Sequence, residues 1–279
     1  MALQHVRFRA NSLARNGEFY LFLPDKDIPP FMMGNPHYNR PVKTLILLHG
    51  YSGDCTDWTF NAPVQDYSMK YNLAIVIPTG GLNFYLDKKE TGRQYCKFIG
   101  EDLIKYLRDT YGLALTKEDT YIGGLSMGGF GALHTGFAYP ETFSGVIALS
   151  SALIIHQLKD MKPNMQDPVM ANYEYYVDTF GDLSKAEESD NNPEILFKKN
   201  KENNISNPKI FMACGTEDFL YKNNVDMKEF LEKENAELKY VEGPGIHNWD
   251  FWIPRCEEGI KYLLEGENKW QTLKMQKLK

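Results

Sequence analysis

The stretch Gly123-Gly-Leu-Ser126-Met-Gly-Gly-Phe-Gly131 lies near the middle of the 279-residue chain. Just before it, Thr120-Tyr-Ile has the β-branched and aromatic side chains of a strand, and residues 127–138 are typical of a helix. A serine at a sharp strand-to-helix turn needs small residues two positions away, because the backbone segments on either side approach closely. The flanking glycines meet this need. The stretch therefore predicts a tight turn that exposes a nucleophilic Ser126.

Short apolar runs alternate with helical patterns along the rest of the chain. Near-continuous apolar runs are typical of strands that a parallel sheet buries on both faces. Residues 6–23 alternate in polarity around Asn16-Gly17, which predicts an antiparallel hairpin turning at that dipeptide. The expected fold is α/β, with a mostly parallel, doubly wound sheet led by this hairpin. We predict strands at residues 43–49, 73–78, 119–124, 145–150 and 209–214, and helices at 97–110, 127–138, 222–234 and 254–264.

The length and the 43% hydrophobic content suffice for one large core, so we expect residues 1–279 to form a single domain. Residues 151–206 hold no convincing strand and mix Met and Tyr with polar runs. Because this cap segment follows a sheet strand, we expect it to form a lid over the carboxyl edge of the sheet. The basic tail at 266–279 is expected to form a packed or frayed helix, with a homodimer interface as one use for it.

Composition excludes several classes of protein. The formal net charge of −6 is spread along the chain, without the clustered Lys and Arg of a nucleic-acid surface. No window approaches the roughly 18 apolar residues of a membrane span, and the first residues lack the apolar segment of a signal peptide. The four cysteines form no C-x-x-C pair, so neither a zinc site nor a disulfide framework is indicated. We expect a soluble, cytoplasmic protein without a nucleic-acid or membrane partner.

Two backbone amides are candidates for binding an oxyanion beside Ser126. The Met127 amide is the first, since it lies at the start of the helix that points at the serine. The second is the Tyr51 amide in the loop His49-Gly-Tyr-Ser-Gly53, which leaves the predicted strand 43–49 at the same edge of the sheet. We interpret His49 as a structural hydrogen-bonding residue and not as a base.

A carboxylate and a histidine are expected later in the chain, because α/β-hydrolase triads follow the order Ser, acid, His. Asp218 is the predicted acid, in the turn after strand 209–214; Glu217 is its competitor, and Asp226 is disfavoured by its place in the following helix. His247 is the only histidine after Asp218 and lies in a loop rich in Gly and Pro, so it is the predicted base.

Four segments of this sequence, taken together, resemble the esterase D-like family, which includes carbohydrate esterase family 1. The resemblance covers most of residues 3–264 and points to the small intracellular tributyrin and feruloyl (cinnamoyl) esterases. It implies the α/β-hydrolase fold and hydrolysis of acetyl, short-chain acyl or hydroxycinnamoyl esters through an acyl-enzyme, often on plant polysaccharides, without a metal or cofactor. The segments are His49-Gly-Tyr-Ser-Gly53, Gly124-Leu-Ser-Met-Gly-Gly129, Cys214-Gly-Thr-Glu-Asp218 and His247-Asn-Trp-Asp-Phe-Trp252.

The substrate is the open question, and small-molecule and oligosaccharide esters both fit. Trp58 and Trp249 lie near the oxyanion loop and the base, and we expect them to line the pocket and stack on a sugar or phenolic ring. The alternative is that they pack at the sheet edge, which is favoured for Trp252. The family fold also hosts S-formylglutathione hydrolases and acyltransferases, so thioester hydrolysis or acyl transfer is the alternative activity. A catalytically inactive binding module is disfavoured, because all three triad positions are occupied.

Overall fold

The computed structural model describes residues 1–27, 29–166 and 170–264 of the chain. The strands within these ranges are β1 (Ala2–Ala10), β2 (Arg15–Leu23), β3 (Lys43–Leu48), β4 (Leu73–Pro78), β5 (Asp87–Lys88), β6 (Arg93–Gln94), β7 (Thr120–Leu125), β8 (Gly145–Leu149), β9 (Lys209–Gly215) and β10 (Leu238–Gly243).

The helices lie between and after these strands. They are α1 (Thr56–Asn61), α2 (Val64–Tyr71), α3 (Tyr95–Lys97), α4 (Ile104–Tyr111), α5 (Met127–Ala138), α6 (Ile155–Leu158), α7 (Tyr173–Phe180), α8 (Pro193–Glu202), α9 (Tyr221–Lys233) and α10 (Trp249–Leu264). A π-helical stretch at Phe98–Leu103 joins α3 to α4.

One eight-stranded sheet organises the described residues, in the order β1-β2-β4-β3-β7-β8-β9-β10. The six strands β4, β3, β7, β8, β9 and β10 run parallel to one another in this order. At the other end of the sheet, β1 pairs antiparallel with β2, and β2 pairs antiparallel with β4. Strands β5 and β6 form a separate antiparallel pair. Every residue of β3, β4, β7 and β8 is buried, as the apolar runs predict for strands covered by helices on both faces. The predicted α/β class and mostly parallel sheet are confirmed.

Strand β10 was not predicted from the sequence. Its residues, Leu238-Lys-Tyr-Val-Glu-Gly243, mix apolar and charged side chains and lie half-buried to exposed at the edge of the sheet. An edge strand is covered less completely than a central one, so it lacks the continuous apolar pattern that marks the others. The strand matters for function because its carboxyl end leads directly to His247.

The N-terminal hairpin is confirmed, but its predicted turn is wrong. Asn16 and Gly17 lie inside β2, paired with Arg9 and Phe8, and the chain reverses at residues 11–14 instead. Gly17 serves packing and not the turn, because a Cβ atom there would lie 2.6 Å from the Phe98 ring.

Helix α10 begins earlier than the predicted 254–264. Pro254 suggests a helix start, because a proline in the first turn sacrifices no intrahelical hydrogen bond. In the structure the helix starts at Trp249, and the side chain of Asn248 accepts a hydrogen bond from the Phe251 amide at 3.2 Å. The extra turn carries Trp249 and Trp252 toward the region of His247.

The cap segment (151–206) lies between β8 and β9 and contains α6, α7 and α8. In α7, Asp178 accepts hydrogen bonds from Lys88 at 2.6 Å and from Arg93 at 2.7 Å, which tie the helix to the small β5–β6 sheet. His156 in α6 lies between two carboxylates, with Nδ1 2.7 Å from Glu187 and Nε2 2.8 Å from Glu194. The Asp178 contacts thus attach the cap segment to the β5–β6 sheet, and the His156 contacts join α6 to later residues of the same segment.

The predicted C-terminal helix at 266–279 lies outside the described residues, and its use as a dimer interface stays a prediction. None of the helices in the described ranges is long and apolar enough to cross a membrane.

The paired contacts of His156 predict a pH-dependent stability. Hydrogen bonds with Glu194 and Glu187 outweigh partial burial and raise the pKa of His156 to about 9. A pKa above the unfolded value of about 6.5 means that this stabilisation is complete below pH ~6.5 and is lost as the pH rises through about 9. We expect His156→Gln to lower Tm by about 2–4 °C at pH 6, measured by thermal unfolding. The difference from wild type should shrink at pH 10; a constant difference from pH 6 to pH 10 would contradict this account.

Candidate active site

Ser126 lies at the turn between β7 and α5 in a strained backbone conformation. Its φ of 54° and ψ of −121° are unfavourable for a residue with a Cβ atom. Two hydrogen bonds from the end of β8 hold it there: the Ser126 amide donates to the Leu149 carbonyl at 2.8 Å, and the Ser126 carbonyl accepts from the Ala152 amide at 3.0 Å. The turn thus places the serine hydroxyl at the carboxyl edge of the sheet, where the sequence predicts it.

Two glycines allow this turn to close. A Cβ atom on Gly124 would lie 2.3 Å from the Gly128 carbonyl oxygen, and one on Gly128 would lie 2.3 Å from the Leu48 carbonyl oxygen. Because both obstacles are backbone atoms, neither can move aside without shifting β3 or α5. The steric role that the sequence analysis gives to these glycines is therefore visible in the structure.

The structure brings the three predicted triad residues together. His247 Nε2 lies 2.9 Å from Ser126 Oγ, and His247 Nδ1 lies 2.8 Å from Asp218 Oδ2. The Asp218 side chain has no exposed surface and that of His247 is 18% exposed. These are hydrogen-bonding distances for a nucleophile, a base and the carboxylate that orients the base.

Asp218 is held in its ionised form. Burial opposes ionisation, but the hydrogen bonds with His247 and with the Leu220 amide outweigh it and lower the pKa of Asp218. The Leu220 amide donates to Oδ1 at 2.8 Å, which leaves Oδ2 for His247. A lowered pKa keeps this carboxylate charged at neutral pH, where it can stabilise an imidazolium.

The two competing acids have other partners. The carboxylate of Glu217 is exposed and accepts a hydrogen bond from the Gly245 amide at 2.6 Å, which ties the acid turn to the loop of the base. Asp226 pairs with Lys222 at 2.8 Å on the exposed side of α9. Neither carboxylate contacts His247, so only Asp218 has the geometry of a triad acid.

Two aromatic rings contact the imidazole, which the sequence did not predict. One belongs to Trp252, which was expected to pack at the sheet edge and instead lines the pocket. The ring centroid of Phe219 lies 4.6 Å from that of His247, and Trp252 packs edge-on at 4.9 Å. Trp252 is itself fixed, because its Nε1 donates to the buried Ser150 hydroxyl at 3.0 Å. The signal that could have identified them is their place next to predicted elements: Phe219 follows Asp218, and Ser150 follows β8.

The proposed oxyanion donors both lie beside the serine. Tyr51 lines the pocket with Ser126, and Met127 is the first residue of α5. Within the described part of the chain, neither amide donates to a protein acceptor, so both are available to a reacting carbonyl. His49 is buried and structural, as interpreted above: its Nε2 accepts from the Gly80 amide at 2.8 Å, and burial lowers its pKa.

The expectation that Trp58 lines the pocket is wrong. Trp58 is completely buried, and its Nε1 donates to the Leu48 carbonyl at 2.9 Å, beneath the oxyanion loop. Trp249 packs edge-on against both Trp58 and Trp252 and does not line the pocket. Because α10 begins at Trp249, the indole of Trp249 lies edge-on between those of Trp58 and Trp252. The pocket, of about 280 Å³, is lined instead by Gly50, Tyr51, Asp57, Leu125, Ser126, Met170, Phe219, His247 and Trp252.

Comparison with known proteins agrees with this geometry. Residues 10–262 match the model of the family described as "Putative esterase". The chain is 41% identical over 253 residues to an acetyl esterase of Caldicellulosiruptor saccharolyticus, and the match covers 90% of this chain and 94% of the relative. The chain therefore belongs to this esterase family and is a carboxylic ester hydrolase.

Solved structures share the fold at lower identity. An S-formylglutathione hydrolase of Staphylococcus aureus superimposes with a TM-score of 0.76 at 23% identity, covering 94% of this chain and 98% of that one. A ferulic acid esterase of Anaeromyces mucronatus gives a TM-score of 0.61 at 17% identity, covering 93% of this chain and 89% of that one. At these identities the likeness establishes the α/β-hydrolase fold alone.

The geometry at Ser126 predicts that its hydroxyl is indispensable. We expect Ser126→Ala to lower kcat by about a million-fold, because the three residues act as one unit. The measurement is the burst and steady-state release of 4-nitrophenol from its acetate ester. Turnover close to wild type in the variant would contradict the assignment of the nucleophile.

The different partners of Asp218 and Glu217 predict different effects on rate. Asp218→Asn should lower kcat by about four orders of magnitude, since an amide in this place favours the wrong imidazole tautomer. Glu217→Gln should remain close to wild type, because the amide oxygen can still accept from the Gly245 amide. Both variants are measured with the same acetate ester, with Asp226→Asn as a surface control. A larger loss in Glu217→Gln than in Asp218→Asn would reassign the acid.

Proposed function

We propose that this protein is a serine esterase that hydrolyses acetyl and other short-chain acyl esters, including those of saccharides, through a Ser126–His247–Asp218 triad. The observation that carries the proposal is the unbroken chain of hydrogen bonds from Ser126 Oγ through the imidazole to the buried carboxylate. These hydrogen bonds orient the nucleophile and the base for reaction.

In the first half of the reaction, Ser126 Oγ attacks the ester carbonyl carbon while its proton passes to His247 Nε2. The carbonyl oxygen becomes an oxyanion, which the Tyr51 and Met127 amides are placed to stabilise. Asp218 stabilises the imidazolium and holds its tautomer. Collapse of the tetrahedral intermediate breaks the bond to the alcohol oxygen, which takes the proton from Nε2 and leaves the acyl group on Ser126.

In the second half, water replaces the alcohol. His247 Nε2 takes a proton from this water, whose oxygen attacks the acyl carbonyl and forms a second oxyanion at the same amides. Collapse returns the proton to Ser126 Oγ and releases the carboxylic acid. The access of water to the acyl-enzyme thus decides between hydrolysis and acyl transfer.

The acetyl group is the proposed acyl unit, because the 41% identical relative is described as an acetyl esterase. The size of the pocket supports a small acyl group. Its volume is about 280 Å³ in total, and this space must hold both the acyl group and the alcohol portion of the ester. Esters of bulky hydroxycinnamoyl acids and thioesters are the alternatives to be tested.

A panel of substrates tests this proposal. We expect kcat/KM to fall from acetate to butyrate esters, with ethyl ferulate at least about ten-fold lower than the acetate, because selectivity for size in an apolar pocket is worth about 1–3 kcal/mol. Product analysis with water, a thiol and a sugar as acceptors separates hydrolysis from transfer. Faster turnover of ethyl ferulate or of an S-acyl thioester would replace the proposed substrate class. Absence of any turnover of the whole panel by wild type would support an inactive binding module.

A further inference from the structure

The pocket beside Ser126 contains one carboxylate that the proposed chemistry does not use. Asp57, the second residue of α1, lines this pocket together with Ser126 and His247. It is half-buried. Among the residues that the structure describes, no group donates a hydrogen bond to its carboxylate and no cation pairs with it.

The oxyanion loop leaves room for this carboxylate at Gly53. A Cβ atom on Gly53 would lie 1.9 Å from Asp57 Oδ2, so the carboxylate occupies the space that any other residue at position 53 would fill. Gly53 closes the short turn that includes Tyr51, with its amide donating to the Gly50 carbonyl at 3.2 Å. The negative charge is therefore packed directly against the loop that carries a proposed oxyanion donor.

The neighbouring Asp54 is a carboxylate whose hydrogen bonds are satisfied within the protein. Its Oδ1 accepts from the Thr56 amide at 2.7 Å and from the Thr56 hydroxyl at 2.6 Å, and these bonds lower its pKa. Asp57 differs, because its pKa is raised. Burial is the larger cause, and the nearby charge of Asp54 is the smaller one. Partial burial of a carboxylate without donors costs free energy. Since Asp54 already provides the hydrogen bonds at the start of α1, the cost at Asp57 is not offset within the described structure.

We propose that Asp57 determines specificity by accepting hydrogen bonds from hydroxyl groups on the alcohol portion of the ester. The inference rests on the proposed ester hydrolysis at Ser126 and identifies its substrate class as acetates of polyols and saccharides. A carboxylate has about four lone-pair sites and can accept from two neighbouring hydroxyls at once. The aromatic rings of Tyr51, Phe219 and Trp252 line the same pocket and offer apolar faces to the carbon side of such an alcohol.

Electrostatics gives this arrangement its selectivity. A negative charge beside a developing oxyanion raises the free energy of the transition state, and more so in a partly water-excluded pocket. Hydroxyl groups that donate to Asp57 disperse this charge at the moment when the oxyanion forms. An alcohol without hydroxyl groups leaves the charge unsatisfied, and an anionic leaving group adds repulsion. The pocket thus favours hydroxyl-rich esters through both binding and rate.

A pair of acetate esters tests this role. Glycerol 1-acetate and propyl acetate have alcohols of equal carbon length that differ only in hydroxyl groups. We expect Asp57→Ala to lower the ratio of their kcat/KM values by about 10- to 100-fold, the effect of losing a hydrogen bond to a charged group. Propyl acetate itself should be hydrolysed faster by Asp57→Ala than by wild type, because the variant removes an unsatisfied negative charge beside the oxyanion. Asp57→Asn, which keeps one acceptor oxygen, should give an intermediate ratio.

The matched control is Asp54→Asn, which removes a neighbouring negative charge outside the pocket and keeps an acceptor for the Thr56 amide. It should leave the ratio unchanged. Burst titration with 4-nitrophenyl acetate gives the concentration of active sites in every variant, so misfolded protein does not enter the comparison. The second variant, Asp57→Asn, keeps the test decisive where Asp57→Ala folds poorly.

Each result has one meaning. An unchanged ratio of the two kcat/KM values, including equal losses on both esters, would overturn the role of Asp57 and leave the esterase function intact. A preference for acetylcholine over glycerol 1-acetate that disappears in Asp57→Ala would replace the hydroxyl subsite by a cation subsite. Failure of the wild-type protein to hydrolyse any acetate ester would remove the proposed function and this inference together.

Discussion

The strained turn at Ser126 is the constraint on which the site depends. Its backbone is held by the Leu149 carbonyl and the Ala152 amide, and Gly124 and Gly128 let β3, β7 and α5 approach to the distance that this requires. A φ of 54° on a serine is unfavourable by itself, so the packing of three neighbouring elements must maintain it. The same packing sets the start of α5, with the proposed oxyanion donor Met127, directly after Ser126.

Sheet order explains how distant residues meet. The adjacent parallel strands β3, β7, β8, β9 and β10 each deliver one part of the site from their carboxyl ends. In the same order these parts are the oxyanion loop, Ser126, the Ser150 hydroxyl, Asp218 and the loop of His247. Cross-connections between the parts, such as the Glu217 contact with the Gly245 amide, then fix their spacing. The strands therefore set where the parts of the site lie, and hydrogen bonds between the loops keep the parts together.

The fold gives two carboxylates near the serine opposite environments. Asp218 has full burial and two hydrogen-bond donors, which lower its pKa and dedicate its charge to the imidazole. Asp57 is half-buried with a raised pKa and, in the described residues, no donor. Different environments for similar groups are a common way to divide roles within one site. Here the satisfied carboxylate serves the reaction and the unsatisfied one is left for the substrate.

The sequence by itself determined the α/β class, the central strands and the positions of Ser126, His247 and the acid turn, because these depend on local patterns: continuous apolar runs, glycines at fixed offsets and chain order. It misplaced the hairpin turn at Asn16-Gly17, missed β10, and assigned Trp58 to the pocket. The errors at the turn and at Trp58 involve contacts between residues far apart in the chain, such as Gly17 with Phe98 and Trp58 with Trp249, whereas β10 was missed because an edge strand lacks a continuous apolar pattern. Only the tertiary structure decided between Asp218 and Glu217 by their contacts and put Asp57 beside the nucleophile, since side-chain direction and burial are set by packing between elements that no local pattern records.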